Sequence, residues 1–226
     1  MTPPPEQPVG DPLRELETGF LVEDLLGLTT GPAGGADALE TEHMPAGRAH
    51  GRTPARRRYE RIAQRQQLLD VIPAPPGPGE SIHVIGTGLY DFWTFIPQFI
   101  TWVGRAERLT CSTWTMSRPN VVELFELWDS GAIVTADVLT GLYFKRRESA
   151  VYAMIQSGIR ARGGRYRAFR NHAKVLLIEA PAAGAWITVE GSANLTANPR
   201  LEQYVITNDR DLYAFHRSWT EEALTK

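Results

Sequence analysis

From Ser81 onward, short apolar runs rich in β-branched residues alternate with longer segments whose apolar positions recur every three or four residues. IHVIG (82–86), RLTCSTWT (108–115) and AIVTADVLTG (132–141) have the length and composition of buried strands. Between them, the aromatic stretch 88–104 predicts a helix bent by Pro97. RPNVVELFELWDSG (118–131) predicts another, with Val121, Leu124, Phe125 and Trp128 on one face and Gly131 past its end. ESAVYAMIQSGI (148–159) follows as a helix with Val151, Met154 and Ile155 turned inward, and 211–224 closes the chain as a last helix. Strands alternating with helices predict an α/β fold: a mixed, mostly parallel sheet with helices on both faces.

The stretch 170–209 breaks that rhythm. Ala173–Ala180 and Ala185–Glu190 are two apolar runs separated by a Pro/Ala/Gly turn, which predicts a hairpin of buried strands. Gln203–Thr207 can pair alongside, while GRYRAFR (164–170) reads as the lead-in to the hairpin. Polar residues stand at the ends of these strands: His172 and Lys174 before the first, Ser192 and Asn194 past the second, Glu202 at the head of the third. Neighbouring strands are about 4.8 Å apart, so these five side chains can meet in one small volume. A neutral imidazole is a competent nucleophile, a carboxylate can fix its tautomer, and ammonium, amide and hydroxyl donors can hold an anion. A phosphodiester is the substrate that suits this set.

The order H-x-K, four residues, an acid, then G-S-x-N and a following glutamate resembles the signature of the phospholipase D superfamily. The resemblance extends from about Ser81 to the C-terminus and is sharpest over 170–209. It implies a phospholipase D-like fold, with His172 as the nucleophile that forms a phosphohistidine. It also implies Lys174 and Asn194 as phosphate ligands supported by Ser192, and Glu202 as the group that orients a histidine ring. The acid after the lysine is usually aspartate and here is Glu179, which the resemblance places in a supporting position. The superfamily uses two histidines per phosphate, and this chain has one copy of the motif. His43, His50, His83 and His216 offer no convincing substitute from their sequence contexts, and small bacterial single-motif nucleases of the superfamily imply a homodimer through the catalytic face. Lys174, Asn194 and backbone amides would do the work of a metal. No two-metal carboxylate cluster is evident, so neither metal nor cofactor is expected.

Charge narrows the substrate. The whole chain carries a formal net charge of −2, yet nine basic residues fall between Lys145 and Lys174 against Glu148 alone. Lys145, Arg146, Arg147, Arg165, Arg167 and Arg170 are the candidate nucleic-acid contacts, since guanidinium forks suit phosphate oxygens. Tyr143, Phe144, Tyr166 and Phe169 interleave with them and could either stack on unpaired bases or pack in the core. The expected activity is therefore a nuclease acting on DNA or RNA. The alternatives are a hydrolase of a lipid or small phosphodiester, and a nucleic-acid-binding or assembly protein without turnover.

The first eighty residues differ. They hold twelve of the sixteen prolines and half of the twenty glycines, nine acids up to Glu42, and seven arginines from Arg48 to Arg65. Residues 1–53 are expected to be a flexible or partner-binding arm, with 13–28 as a possible docking helix for a protein partner. Residues 54–80 are expected to be a helix plus a Pro-rich linker, docking through Tyr59, Ile62 and Leu69, and 81–226 the catalytic domain. A lone cysteine, Cys111, in an apolar run excludes an internal disulfide. No apolar run is long enough for a bilayer, and the Pro-rich, acidic start is unlike a signal peptide, so a cytoplasmic protein without a membrane partner is expected.

Overall fold

The computed structural model describes residues 64–196 and 200–225. The expected arm, and the docking residues Tyr59 and Ile62, lie outside them. Seven strands form one sheet in the order β1-β7-β6-β5-β2-β3-β4: β1 Ser81–Gly86, β2 Ala106–Ser112, β3 Ile133–Gly141, β4 Arg165–Phe169, β5 Val175–Ala180, β6 Ala185–Gly191 and β7 Glu202–Asn208. Residues 64–71 are helical (α1). They are followed by α2 Phe95–Val103, α3 Arg118–Asp129, α4 Leu142–Arg147, α5 Ser149–Ala161 and α6 Arg210–Thr225.

The fold is mixed α/β as expected, but the sheet is mostly antiparallel. Only β2–β3 and β3–β4 are parallel, and the other four pairings are antiparallel. The reason is local. The β2–β3 and β3–β4 crossovers carry α3 and α5, long enough to return the chain for a parallel partner, whereas β5 and β6 are joined by a single turn. That turn ends on Gly184 at φ +64°, a left-handed position that glycine fills without strain. β7 continues the same meander, and β1 crosses to the far edge to pair with it.

Side-chain alternation divides the sheet's faces. Leu176, Ile178, Ile187, Val189, Tyr204 and Ile206 point into the main core with Phe92, Phe95, Phe99, Leu124 and Ile155. Leu68 and Ile72 of α1 and the residue after it are buried in that core, so the docking face lies one residue before the expected Leu69. Burying about ten such side chains contributes on the order of 20 kcal/mol against chain entropy. The aromatic stretch is split into a 3-10 turn, Phe92–Thr94, and α2, with Pro97 at the start of the latter. There its missing N–H has no partner to lose.

On the opposite face, α6 packs through Tyr213 and Trp219 against Val175, Leu177 and Trp186. This helix is also held by charge. Asp137 on β3, 1% exposed, accepts from Arg108, Arg165 and Arg217, at 2.9, 2.7 and 3.0 Å. Burial pushes its carboxyl up, but the guanidinium bonds outweigh that and hold it below the usual carboxylate range. Cys111 is fully buried in β2, and burial pushes its thiol up, so it stays protonated. No helix among the described residues is long and apolar enough to cross a membrane.

Candidate active site

His172 sits in the loop between β4 and β5, and Asn171 fixes that loop. Its side-chain amide is buried. Oδ1 accepts from the Ala173 N–H at 3.0 Å, and Nδ2 donates to the Ser112 hydroxyl at 3.0 Å and to the Thr113 carbonyl at 3.3 Å. An asparagine bonding two residues ahead makes a compact turn, and this one presents His172 outward while Lys174 turns in. Lys174 is 9% exposed. Its Nζ donates to the His172 carbonyl at 2.8 Å and lies 2.8 Å from Nδ1 and 3.1 Å from Nε2 of the same residue. Partial burial first, and the Lys174 charge second, lower the His172 pKa. Both influences act against protonation of the ring. Burial also pulls Lys174 down, with the Glu202 carboxylate opposing it.

The second part of the motif leaves β6 beside Lys174, whose carbonyl accepts from the Gly191 N–H at 3.2 Å. Gly191 has no room for a side chain. A Cβ there would stand 2.9 Å from the Tyr204 ring and 3.0 Å from the Gln203 carbonyl. Ser192 donates its hydroxyl to Glu202 and accepts from the Gln203 N–H at 3.1 Å, which ties the ends of β6 and β7. Asn194 is oriented by its oxygen. Oδ1 accepts from the Trp114 N–H at 3.2 Å and lies 3.4 Å from the Thr113 hydroxyl, which fixes the plane of the amide.

Trp114 forms the next wall. Its ring stacks on Tyr143 (centroids 4.4 Å apart, 20° between planes) and lies 5.7 Å from the His172 ring. Gly141 makes this possible. A Cβ at that position would be 2.4 Å from Trp114 Cδ1 and 3.0 Å from the Asn171 carbonyl. His172, Lys174, Ser192, Asn194 and Glu202 thus belong to one corner of the sheet. Glu179 does not. It is five residues along β5 from Lys174, on the other face, and accepts from the Tyr213 hydroxyl at 2.9 Å. Its part is in seating α6.

The basic residues separate into two groups. Lys145, Arg146, Arg147 and Arg170 are exposed. Arg165 is bound to Asp137 and Glu221, and Arg167 donates to the Ala223 carbonyl and lies over the Phe169 ring. The last two are committed to α6 rather than free for phosphate. Among the aromatic residues, Phe144 is fully buried and Tyr166 bonds Thr140 at 2.7 Å, while Tyr143 reaches the site through Trp114.

Sequence reasoning missed Thr113, Trp114 and Asn171, which act through tertiary contacts. It also set aside His216, which lines the same concavity as His172 together with Glu190 and Trp219. Only the position of Glu190 directly before G-S-x-N could have drawn notice. Among the described residues, no group of three or more His, Cys, Asp or Glu is placed to hold a metal ion.

No protein-family model matches the chain, and no curated protein does. Among solved structures, it is similar to polyphosphate kinase from Porphyromonas gingivalis, with a TM-score of 0.47 and 13% identity over 62% of this chain and 25% of the other. Phosphatidylserine synthase from Haemophilus influenzae Rd KW20 gives 0.44 and 12%, over 64% of this chain and 38% of the other. TrmBL2, an archaeal chromatin protein, gives 0.43 and 11%, over 76% and 60%. The chain spans less than two thirds of the length of each.

Proposed function

We propose that this chain is a metal-independent phosphodiesterase of phospholipase D type that cleaves nucleic acid in a homodimeric site. The observation that carries this reading is the Lys174 ammonium against the His172 ring, 2.8 Å from Nδ1, with the side-chain amide of Asn194 oriented at the same corner. A neutral imidazole beside two anion donors is suited to attack phosphorus. In the first step a His172 nitrogen forms the P–N bond, and the bond from phosphorus to the leaving oxygen breaks. That oxygen takes a proton from the imidazolium of His172 of the partner subunit. In the second step the partner's His172 removes a proton from water, the water oxygen bonds phosphorus, and the P–N electron pair returns to His172. Each ring ends as it began.

A twofold face at this corner is supported by exposed apolar side chains: Ile85, Leu89 and Leu201 are 61%, 55% and 72% exposed, and Gly86 pairs with Glu202. Exposed Lys145, Arg146, Arg147 and Arg170 favour a polyanion over a small ester. The test is digestion of labelled DNA and RNA in the presence of a chelator by wild type and His172→Ala, with sedimentation to fix the oligomeric state. Cleavage by a dimer that is lost in the variant is the expected result. Cleavage only by added Mg²⁺, or at full rate by a monomer, would overturn the mechanism. Hydrolysis of phospholipid vesicles but not of nucleic acid would transfer the chemistry to a lipid.

A further inference from the structure

A concavity of about 600 Å³ opens beside His172. His172, Lys174 and Ser192 line it together with Glu190, His216 and Trp219. His216 is 6% exposed, and each of its ring nitrogens faces a polar group. The Trp219 indole nitrogen donates to Nδ1 at 3.0 Å. An indole N–H can only donate, so Nδ1 is unprotonated and the ring proton is on Nε2, 3.3 Å from Glu190 Oε1. Burial lowers the His216 pKa, against the opposing pull of Glu190, and favours the neutral ring. The Trp219 indole thus fixes the His216 ring, whose Nε2 faces the Glu190 carboxylate, and that side chain is 45% exposed.

The charge of a carboxylate facing this concavity opposes an anion. The carboxylate contributes to binding when the ligand donates a hydrogen bond to it. The oxygens of an ionised phosphodiester carry no proton, so the donor belongs to the alcohol side of the ester. In a nucleic acid the 2′-hydroxyl is the donor attached next to the 3′-ester carbon, and every ribonucleotide has one whatever its base. The exocyclic amines of bases are farther from phosphorus and differ between bases.

We propose that Glu190, held by His216 and Trp219, is a subsite for the ribose 2′-hydroxyl beside the scissile phosphate, and that the chain prefers RNA to DNA. This rests on His172 being the phosphate-reacting residue. The 2′-hydroxyl is the group by which a protein tells RNA from DNA, and one hydrogen bond to a charged acceptor is worth about tenfold in affinity or more.

The test uses the full chain carrying His172→Ala, so that binding is read without turnover. Dissociation constants are measured for labelled uridine trinucleotides in ribo, deoxy and 2′-O-methyl forms, by fluorescence anisotropy. The ribo form should bind about tenfold more tightly than the deoxy form, and the 2′-O-methyl form, which lacks the donor, should bind like the deoxy form. Adding Glu190→Ala should bring the ribo-to-deoxy ratio to about one, and His216→Phe should reduce it. Equal binding of ribo and deoxy forms, tight binding of the 2′-O-methyl form, a ratio unchanged by Glu190→Ala, or no binding of any trinucleotide would each overturn the subsite. The 2′-O-methyl arm needs no second substitution and so is independent of any effect of Glu190→Ala on folding. A wild type that cleaves no nucleic acid while the ribo preference persists would overturn the nuclease reading and leave the subsite. Equal cleavage and binding of RNA and DNA would do the reverse.

Discussion

Nζ of Lys174 stands 2.8 Å from Nδ1 of His172 and the same distance from that residue's carbonyl oxygen. Partial burial is the larger cause that disfavours a positive charge on the ring, and a cation at this range adds to it.

The pH dependence follows from that contact. The nucleophile must be neutral, so the rate rises as pH passes upward through the His172 pKa. The pKa is lowered, so the acidic limb should lie below the ordinary histidine value of about 6.5. Lys174→Met should move that limb toward higher pH and cut kcat by about 10²–10³-fold through loss of a charged donor. The check is kcat against pH for both proteins, together with titration of the His172 ring by NMR. A limb unmoved by the substitution would contradict the argument.

Thr113→Val should loosen Asn194. The hydroxyl lies 3.4 Å from Asn194 Oδ1, donates to the Thr115 carbonyl at 2.8 Å and accepts from the Leu195 N–H at 3.2 Å. Its loss should cost about 1–3 kcal/mol of stability and lower kcat more than it raises KM. Urea melts and steady-state kinetics separate the two effects.

Gly141→Ala should damage the corner without touching a motif residue. The added methyl would meet the Trp114 ring and two backbone carbonyls. Overpacking of this kind costs about 1–3 kcal/mol. Trp114 fluorescence should shift, and activity should fall with it.

Asp137→Asn tests the charge-held seat of α6. Three guanidinium groups would lose their buried carboxylate, at a cost of about 3–5 kcal/mol in chemical denaturation. The sign in wild type is that of a depressed carboxyl. Its contribution is complete above the unfolded pKa near 3.9 and is lost as pH falls through the lower folded value. A pH series of melts should therefore show wild type losing its margin over Asp137→Asn in acid.

The two sets of basic residues should also behave differently. Alanine at Lys145, Arg146, Arg147 or Arg170 should each reduce the slope of log affinity against log salt for nucleic acid by up to about one. Arg165→Ala should leave the slope and lower stability, because its guanidinium is bound to Asp137 and Glu221.

The hairpin and its polar ends were legible because their signals are local: β-branched runs, a Pro/Ala/Gly break, and a motif whose members are a few residues apart. Glu179 was placed by spacing alone. Strand alternation of period two puts it on the opposite face from Lys174, a point already available in the sequence. Strand direction was not legible, since the rhythm of elements does not reveal that β1 crosses to β7 or that β5 lies against β2. β4 was hidden because half-buried arginines alternate along RYRAF, and their partners Asp137, Glu221 and Ala223 come from other elements. His216 gave no local sign either. Its meaning comes from α6 folding back over β6.

The pairing of β1 with β7 sets the order in which the molecule can be completed. Ser81 meets Thr207, and Gly86 meets Glu202, more than a hundred residues later. While the ribosome is still making the chain, β1 has no strand to join until the residues after Leu201 emerge. The same late segment delivers Glu202 to Ser192. Registering β1 and bringing Glu202 to Ser192 thus depend on the same late segment, and under the proposed function the onset of turnover in a refolding experiment should coincide with protection of the β1 amides from exchange.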